Sequence, residues 1–147
     1  MLPVEHTIVP HAIHDQEIAT FERSAMVRDV ATVMAQRRIG AVPIVDGGGM
    51  LIGIFTERDV ITRVVAPGLD PDKTPLGEVM TADPDTVKSS DAVTHALELM
   101  NARRYRHLPV VDGGKLVGIV SIRDLYRSVK EQMDSDIMLL AEALLQG

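Results

Sequence analysis

Forty residues of this chain are written twice. Thr20–Gly48 aligns with Thr86–Gly114, and Met50–Val60 with Lys115–Leu125, leaving Gly49 as a single insertion; 16 of the 40 aligned positions are identical. A tandem duplication constrains the fold more than composition does. Both copies must adopt one supersecondary unit, and each must bury the apolar face that it cannot cover alone.

Each copy carries the same parts in the same order. A short extended run opens it, Ile18–Phe21 or Thr86–Lys88. Ser24 and Ser90 stand where a helix N-cap belongs. Val27, Val30, Ala31 and Met34, like Val93, Ala96, Leu97 and Met100, recur at helical spacing and predict one apolar stripe per helix. Arg37-Arg38 and Arg103-Arg104 close these helices with the charge that suits a helix C-terminus. The strands Ala41-Val42-Pro43-Ile44-Val45 and His107-Leu108-Pro109-Val110-Val111 follow, and a proline inside each predicts an edge or a bulge. Asp46-Gly47-Gly48-Gly49 and Asp112-Gly113-Gly114 read as hairpin turns. Each copy ends in a glycine-interrupted apolar strand running into Thr56-Glu57-Arg58-Asp59 or Ser121-Ile122-Arg123-Asp124. That is a strand entering a helix N-terminus, and a hydroxyl, an arginine and a carboxylate gathered there suit a sugar phosphate.

The expected divisions are an N-terminal tail over 1–17, a first unit over 18–66, a linker over 67–80, a second unit over 81–130 and a C-terminal helix over 131–147. The tail holds His6, His11 and His14 without a repeated carboxylate partner, so a solvated or docking tail is expected before a metal site. Thr74-Pro75 suggests an N-cap followed by proline at the first helical position. Ile137, Leu140, Ala141, Leu144 and Leu145 form a last apolar stripe, which continues the preceding helix or restarts at Asp134-Ser135.

Composition excludes several classes. Aromatics make up 3% with no Trp, which disfavours a base-stacking platform, and a net charge of −6 disfavours general nucleic-acid binding. The absence of cysteine removes disulfides, thiolate nucleophiles and zinc–sulfur sites. No segment approaches the ~18 apolar residues of a membrane span, and no signal peptide is visible. The expectation is a soluble cytoplasmic protein that contacts neither membrane nor nucleic acid.

The paired "AVPIVD" and "HLPVVD" strands, with the "GIFTERD" and "GIVSIRD" junctions, resemble the CBS (cystathionine-β-synthase-type) domain pair, or Bateman module, of the free-standing bacterial type. The likeness covers residues 18–130. It implies an α+β fold of two β-α-β-β-α units packed about a pseudo-two-fold axis. It also implies two clefts that take adenosine-containing ligands: AMP first, with ADP, ATP, NAD or S-adenosylmethionine as further candidates. One departure stands out. The family's lead-in, "V-x-x-x-M-[TS]", is present before the second copy at Val79-Met80-Thr81, whereas Ala12–Glu17 carries nothing similar.

The candidate ligand-binding residues fall into three groups. Thr56, Arg58, Asp59, Ser121, Arg123 and Asp124 occupy the junctions. Spacing alone reads each hydroxyl–aspartate pair as a capping box; the resemblance makes it a ribose-phosphate motif, and both can hold. Arginine in a first helical turn opposes the dipole, which suits either an anion partner or an ion pair with a neighbouring carboxylate. Ala41, Val42, Pro43, His107, Leu108 and Pro109 are expected to read adenine through backbone groups freed by proline, against the alternative of ordinary edge strands. Thr81 lines one cleft through the lead-in. Arg37, Arg38, Arg103 and Arg104 read as helix-end charges, while Arg106 and His107 lie nearest the proline strand.

The functional expectation is a non-catalytic regulatory module that binds an adenine nucleotide, forms a homodimer and acts on an unknown downstream protein. The alternative is a structural dimerisation module with vestigial clefts. An enzyme is the remaining class, and no base, nucleophile and oxyanion set assembles from the motifs. Val60, Ile61, Val64 and Val65, with the stripe Ile137–Leu145, supply the apolar surface expected at the dimer interface.

Overall fold

Each duplicated segment folds as a helix laid on an antiparallel hairpin. A computed structural model describes residues 5–146; the first four residues of the expected tail and Gly147 lie outside the described residues. In the first unit α1 (Val27–Arg37) leads to β1 (Ala41–Val45) and β2 (Leu51–Thr56), with Pro43 opposite Ile54. β2 passes without a loop into α2 (Glu57–Asp59), which continues as a wider helical turn over Val60–Val65. A short strand, β3 (Thr81–Ala82), then adds to β2, so that Gly53 faces Ala82 and Ile54 faces Thr81. The second unit repeats the plan with α3 (Val93–Arg103), β4 (His107–Asp112), β5 (Lys115–Ser121) and α4 (Ile122–Gln146).

The helical stripes build the two cores. Val27, Val30 and Met34 pack with Val42, Ile44 and Phe55; Val93, Ala96 and Met100 pack with Leu108, Val110 and Val120. The prolines sit where the expectation put them. Phe21 and Val87 each make one parallel bridge, beside Ile44 and Val110 respectively. The Phe21 and Val87 N–H groups donate to the Pro43 and Pro109 carbonyls. A strand residue points its N and its C=O to the same side, so the missing proline donor faces this short bridge and not the hairpin. Each strand also has its bulge, at Ile44/Val45 and Val110/Val111.

Several sequence expectations fail. Ser24 and Ser90 cap nothing: the N-cap residues are Met26 and Ala92, without side-chain bonds. Distant backbone carbonyls do the capping, Thr74 to the Val27 N–H and His6 to the Val93 N–H. Thr74 is no cap either, since its hydroxyl donates to the Asp70 carbonyl at 2.7 Å. Of the four apolar residues expected on the first unit's outer face, Val64 is buried in the core, while Ile61 and Val65 are 64% and 66% exposed. α4 runs unbroken, with no restart at Asp134-Ser135.

Of the two readings of the N-terminal tail, solvated or docking, the docked one is found. Ile8, Ala12 and Ile13 are buried in the second unit's core. His6 Nδ1 lies 2.8 Å from the buried Ser128 hydroxyl, and its ring stacks on His11 at 4.1 Å. His6 and His11 therefore belong to a docked arm that meets α4 at Ser128, whereas His14 is exposed beside Asp15. Among the described residues no group of His, Asp and Glu is placed to hold a metal.

Candidate functional site

The arm supplies what the first copy lacks in sequence. Around β2, the lead-in Val79-Met80-Thr81 does three things. β3 pairs with β2, the Met80 side chain covers Gly53, and Arg63 donates to the Val79 and Met80 carbonyls. Around β5 the arm repeats all three. Gln16 Nε2 donates to the Ile119 carbonyl at 2.9 Å and its Oε1 accepts from the Ile119 N–H at 2.8 Å, a side-chain copy of a strand bridge. Ile13 covers Gly118, where an added Cβ would lie 2.6 Å from its Cδ1. Arg127 donates to the Ala12 carbonyl. The lead-in missing from the first copy's sequence is thus supplied in space by the arm.

Two clefts result, each built from the junction of one unit and the β1 or β4 end of the other. The smaller, about 280 Å³, gathers Thr56, Arg58, Asp59, Thr81, His107, Leu108 and Pro109. The larger, about 890 Å³, gathers Ala41, His107, Ser121, Arg123 and Asp124, with Gln16 at its side. The lead-in Thr81 therefore serves the Thr56–Asp59 junction. Val42 and Pro43 line neither cleft; both are buried, and Val42 points into the first core by strand alternation.

Both capping boxes form. The Thr56 N–H donates to Asp59 Oδ2 at 3.0 Å, and the Asp59 N–H donates to Thr56 Oγ1 at 3.2 Å. Ser121 and Asp124 make the same pair at 2.9 and 3.0 Å. The other carboxylate oxygen of each meets an arginine: Asp59 Oδ1 lies 3.5 Å from Arg63 and Asp124 Oδ1 3.3 Å from Arg127. The aspartates are thereby fixed in rotamer, and each oxygen keeps acceptor capacity for a hydroxyl. The Asp124 side chain is 25% exposed against 11% for Asp59, so it is the more reachable. The Glu57 and Ile122 N–H groups are taken by the Gly40 and Arg106 carbonyls.

Gly40, Glu57, Arg106 and His107 line both clefts and form the wall between them. A Cβ on Gly40 would lie 3.0 Å from His107 Cε1 and 3.1 Å from Glu57 Oε1, so a larger residue there would make these side chains give way by a few tenths of an ångström. Burial lowers the His107 pKa from its usual value, and Arg106 adds to this while Glu57 and Asp124 oppose it. Sequence reasoning missed Gln16, Gly40 and Glu57, none of which recurs in the other copy.

Residues 11–66 and 76–131 each match the CBS domain family. The chain belongs to that family. The CBS domain-containing protein YhcV of Bacillus subtilis is 36% identical over 109 residues, 74% of this chain and 76% of YhcV. A signal-transduction protein with CBS domains from Burkholderia ambifaria superposes with a TM-score of 0.74 at 40% identity, over 79% of this chain and 85% of that one. CBSX2, solved in complex with AMP, shares the fold at a TM-score of 0.70 and 21% identity, over 79% of this chain and 90% of its own. The chain spans less than a fifth of the length of the Arabidopsis CBS-domain proteins that it matches at 35–40% identity. Among the described residues no helix is long and apolar enough to cross a membrane.

Proposed function

We propose that this CBS pair is a non-catalytic regulatory module that binds adenosine-containing nucleotides (AMP, ADP, ATP or NAD) in its two clefts. One observation carries the reading: each cleft brings a hydroxyl–arginine–aspartate junction from one unit against the β1 or β4 end of its partner unit. In this reading Asp59 and Asp124 accept the ribose hydroxyls. Thr56, Ser121, Arg58 and Arg123 meet phosphate. The His107–Pro109 segment and the Ala41 end of β1 face the base. The AMP complex of CBSX2 supports the ligand class, and the CBS-domain and signal-transduction names of the relatives support a role without catalysis.

The module is proposed to work as a homodimer in the cytoplasm, acting on a downstream protein. Ile61, Val65, Ile137, Leu140 and Leu144 expose 61–83% of their surface and supply the apolar face. The second reading, a structural module with vestigial clefts, is favoured by the completed capping boxes, which already occupy both aspartates. Titration calorimetry with AMP, ADP, ATP and NAD separates the two. Binding of any of them supports the sensor, and no heat at millimolar ligand leaves the structural module.

A further inference from the structure

The helices α1 and α3 end in an unusual way. Arg38 (φ 55, ψ 44) and Arg104 (φ 60, ψ 34) are their C-cap residues, both in the left-handed region. Glycine or asparagine is the favoured residue there, because a Cβ makes this conformation costly. Compensation of the helix dipole does not explain the arginines. Arg37 and Arg103, one residue earlier and in regular helical geometry, already provide it. A strained backbone position that keeps the same charged residue in both copies asks for a second reason.

The clefts supply it. Arg104 lines the smaller cleft and Arg38 the larger, each across from the junction of the opposite unit. The neighbouring cations in the smaller cleft are engaged, Arg63 with Asp59 and the Val79 and Met80 carbonyls, and Arg103 with Asp85 at 3.5 Å. The backbone N–H groups of Arg38 and Arg104 donate to the Met34 and Met100 carbonyls, but their guanidiniums have no hydrogen bond or ion pair among the described residues. Each cleft therefore holds a matched pair of unengaged guanidiniums, Arg58 and Arg104 in one and Arg123 and Arg38 in the other, with a fifth, Arg106, on the wall they share. Asp59, Asp85 and Asp124 are paired with Arg63, Arg103 and Arg127, which leaves Glu57 as the carboxylate set against these guanidiniums and each cleft net positive in a chain of net charge −6. A monophosphate held at a junction is met by Thr56 and Arg58 or by Ser121 and Arg123, whereas the further phosphates of a di- or triphosphate bring acceptors to the guanidinium of Arg104 or Arg38 across the cleft.

We propose that Arg38 and Arg104 are the residues that select by phosphate number, and that they turn each cleft toward a nucleoside di- or triphosphate over a monophosphate. The proposal rests on the nucleotide reading above and narrows it. Its test is calorimetric titration of the full chain with ATP and AMP at fixed ionic strength, for wild type, R104G, R38G and the double variant. Asparagine variants at both positions serve as a second neutral set that tolerates the left-handed backbone. Wild type is expected to bind ATP about tenfold or more tighter than AMP, the scale of one additional charge-assisted contact. Each single variant is expected to cut the ATP-to-AMP affinity ratio of one site by about tenfold, while its melting temperature without ligand rises because the left-handed strain is relieved. An unchanged ratio in variants that melt higher overturns the proposal and leaves the arginines as caps. Equal affinity of wild type for ATP and AMP also overturns it, with the nucleotide reading intact. Binding of neither nucleotide overturns that reading as well.

Discussion

Gln16→Ala removes a β-bridge made by one side chain. The amide spans the Ile119 peptide groups with two hydrogen bonds, at 2.8 and 2.9 Å. Each contributes about 1 kcal/mol net, and a buried group left unpaired costs about 1–3 kcal/mol. Gln16 also lines the larger cleft, so water reaches the vacated groups and the lower end applies. The expected loss is about 2 kcal/mol. With a urea slope of about 1–3 kcal/mol/M, the midpoint falls by about 1 M at unchanged slope. Thr81→Ala is the control. Thr81 occupies the matching place beside β2, but its bridge is backbone and survives truncation. That variant is expected to stay within about 0.5 kcal/mol of wild type. Equilibrium urea unfolding followed by far-ultraviolet circular dichroism measures both. A Gln16→Ala midpoint equal to wild type, or a Thr81→Ala loss as large as that of Gln16→Ala, refutes the view that the arm replaces the lead-in.

Three further outcomes are expected. Asp59→Ala and Asp124→Ala should each cost about 0.5–2 kcal/mol of stability without ligand as their capping boxes open, and the more exposed Asp124 should lose the larger share of nucleotide-induced stabilisation. Thermal melts with and without AMP or ATP decide this, and full retention in both variants removes the ribose role. His107 has its pKa lowered in the folded chain, so the unfolded chain takes up the proton first on acidification. Stability should therefore fall below about pH 6.5, with a shallower fall in His107→Gln; superimposable pH curves argue against burial as the cause. Sedimentation equilibrium at micromolar concentration should give twice the 16.0 kDa chain mass, and a single 16.0 kDa species counts against the apolar face as a dimer interface.

The fold was legible because its signals are local and repeated. The stripes Val27–Met34 and Val93–Met100, the glycine turns and the hydroxyl–aspartate boxes are short-range patterns, and duplication tests each one twice. What escaped reading is long-range. The caps of α1 and α3 come from Thr74 and His6 carbonyls, 47 and 87 residues away from the N–H groups of Val27 and Val93 that they meet. No residue type marks a backbone carbonyl that will travel that far. Gln16 escaped for a related reason: a side-chain amide imitates a peptide group in space without resembling Met80-Thr81 in sequence. The arginines at 38 and 104 were visible, but only their φ values separate a helix-end charge from a residue held where glycine belongs.

The wall between the clefts shows why duplication stops being symmetric at the axis. Gly40, Ala41 and Glu57 in the first copy correspond to Arg106, His107 and Ile122 in the second. Gly40 already touches the His107 ring across the axis, at the distance where a Cβ begins to clash. An arginine at 40 would have to share that space with His107 and would bring a second guanidinium toward Arg106. Two like charges so placed raise each other's cost. The charged and the bulky members can therefore occur only once, and the two copies must divide them. Glu57 then lies beside both Arg106 and His107 as the single acidic member of the wall. The clefts differ in volume although their binding motifs match.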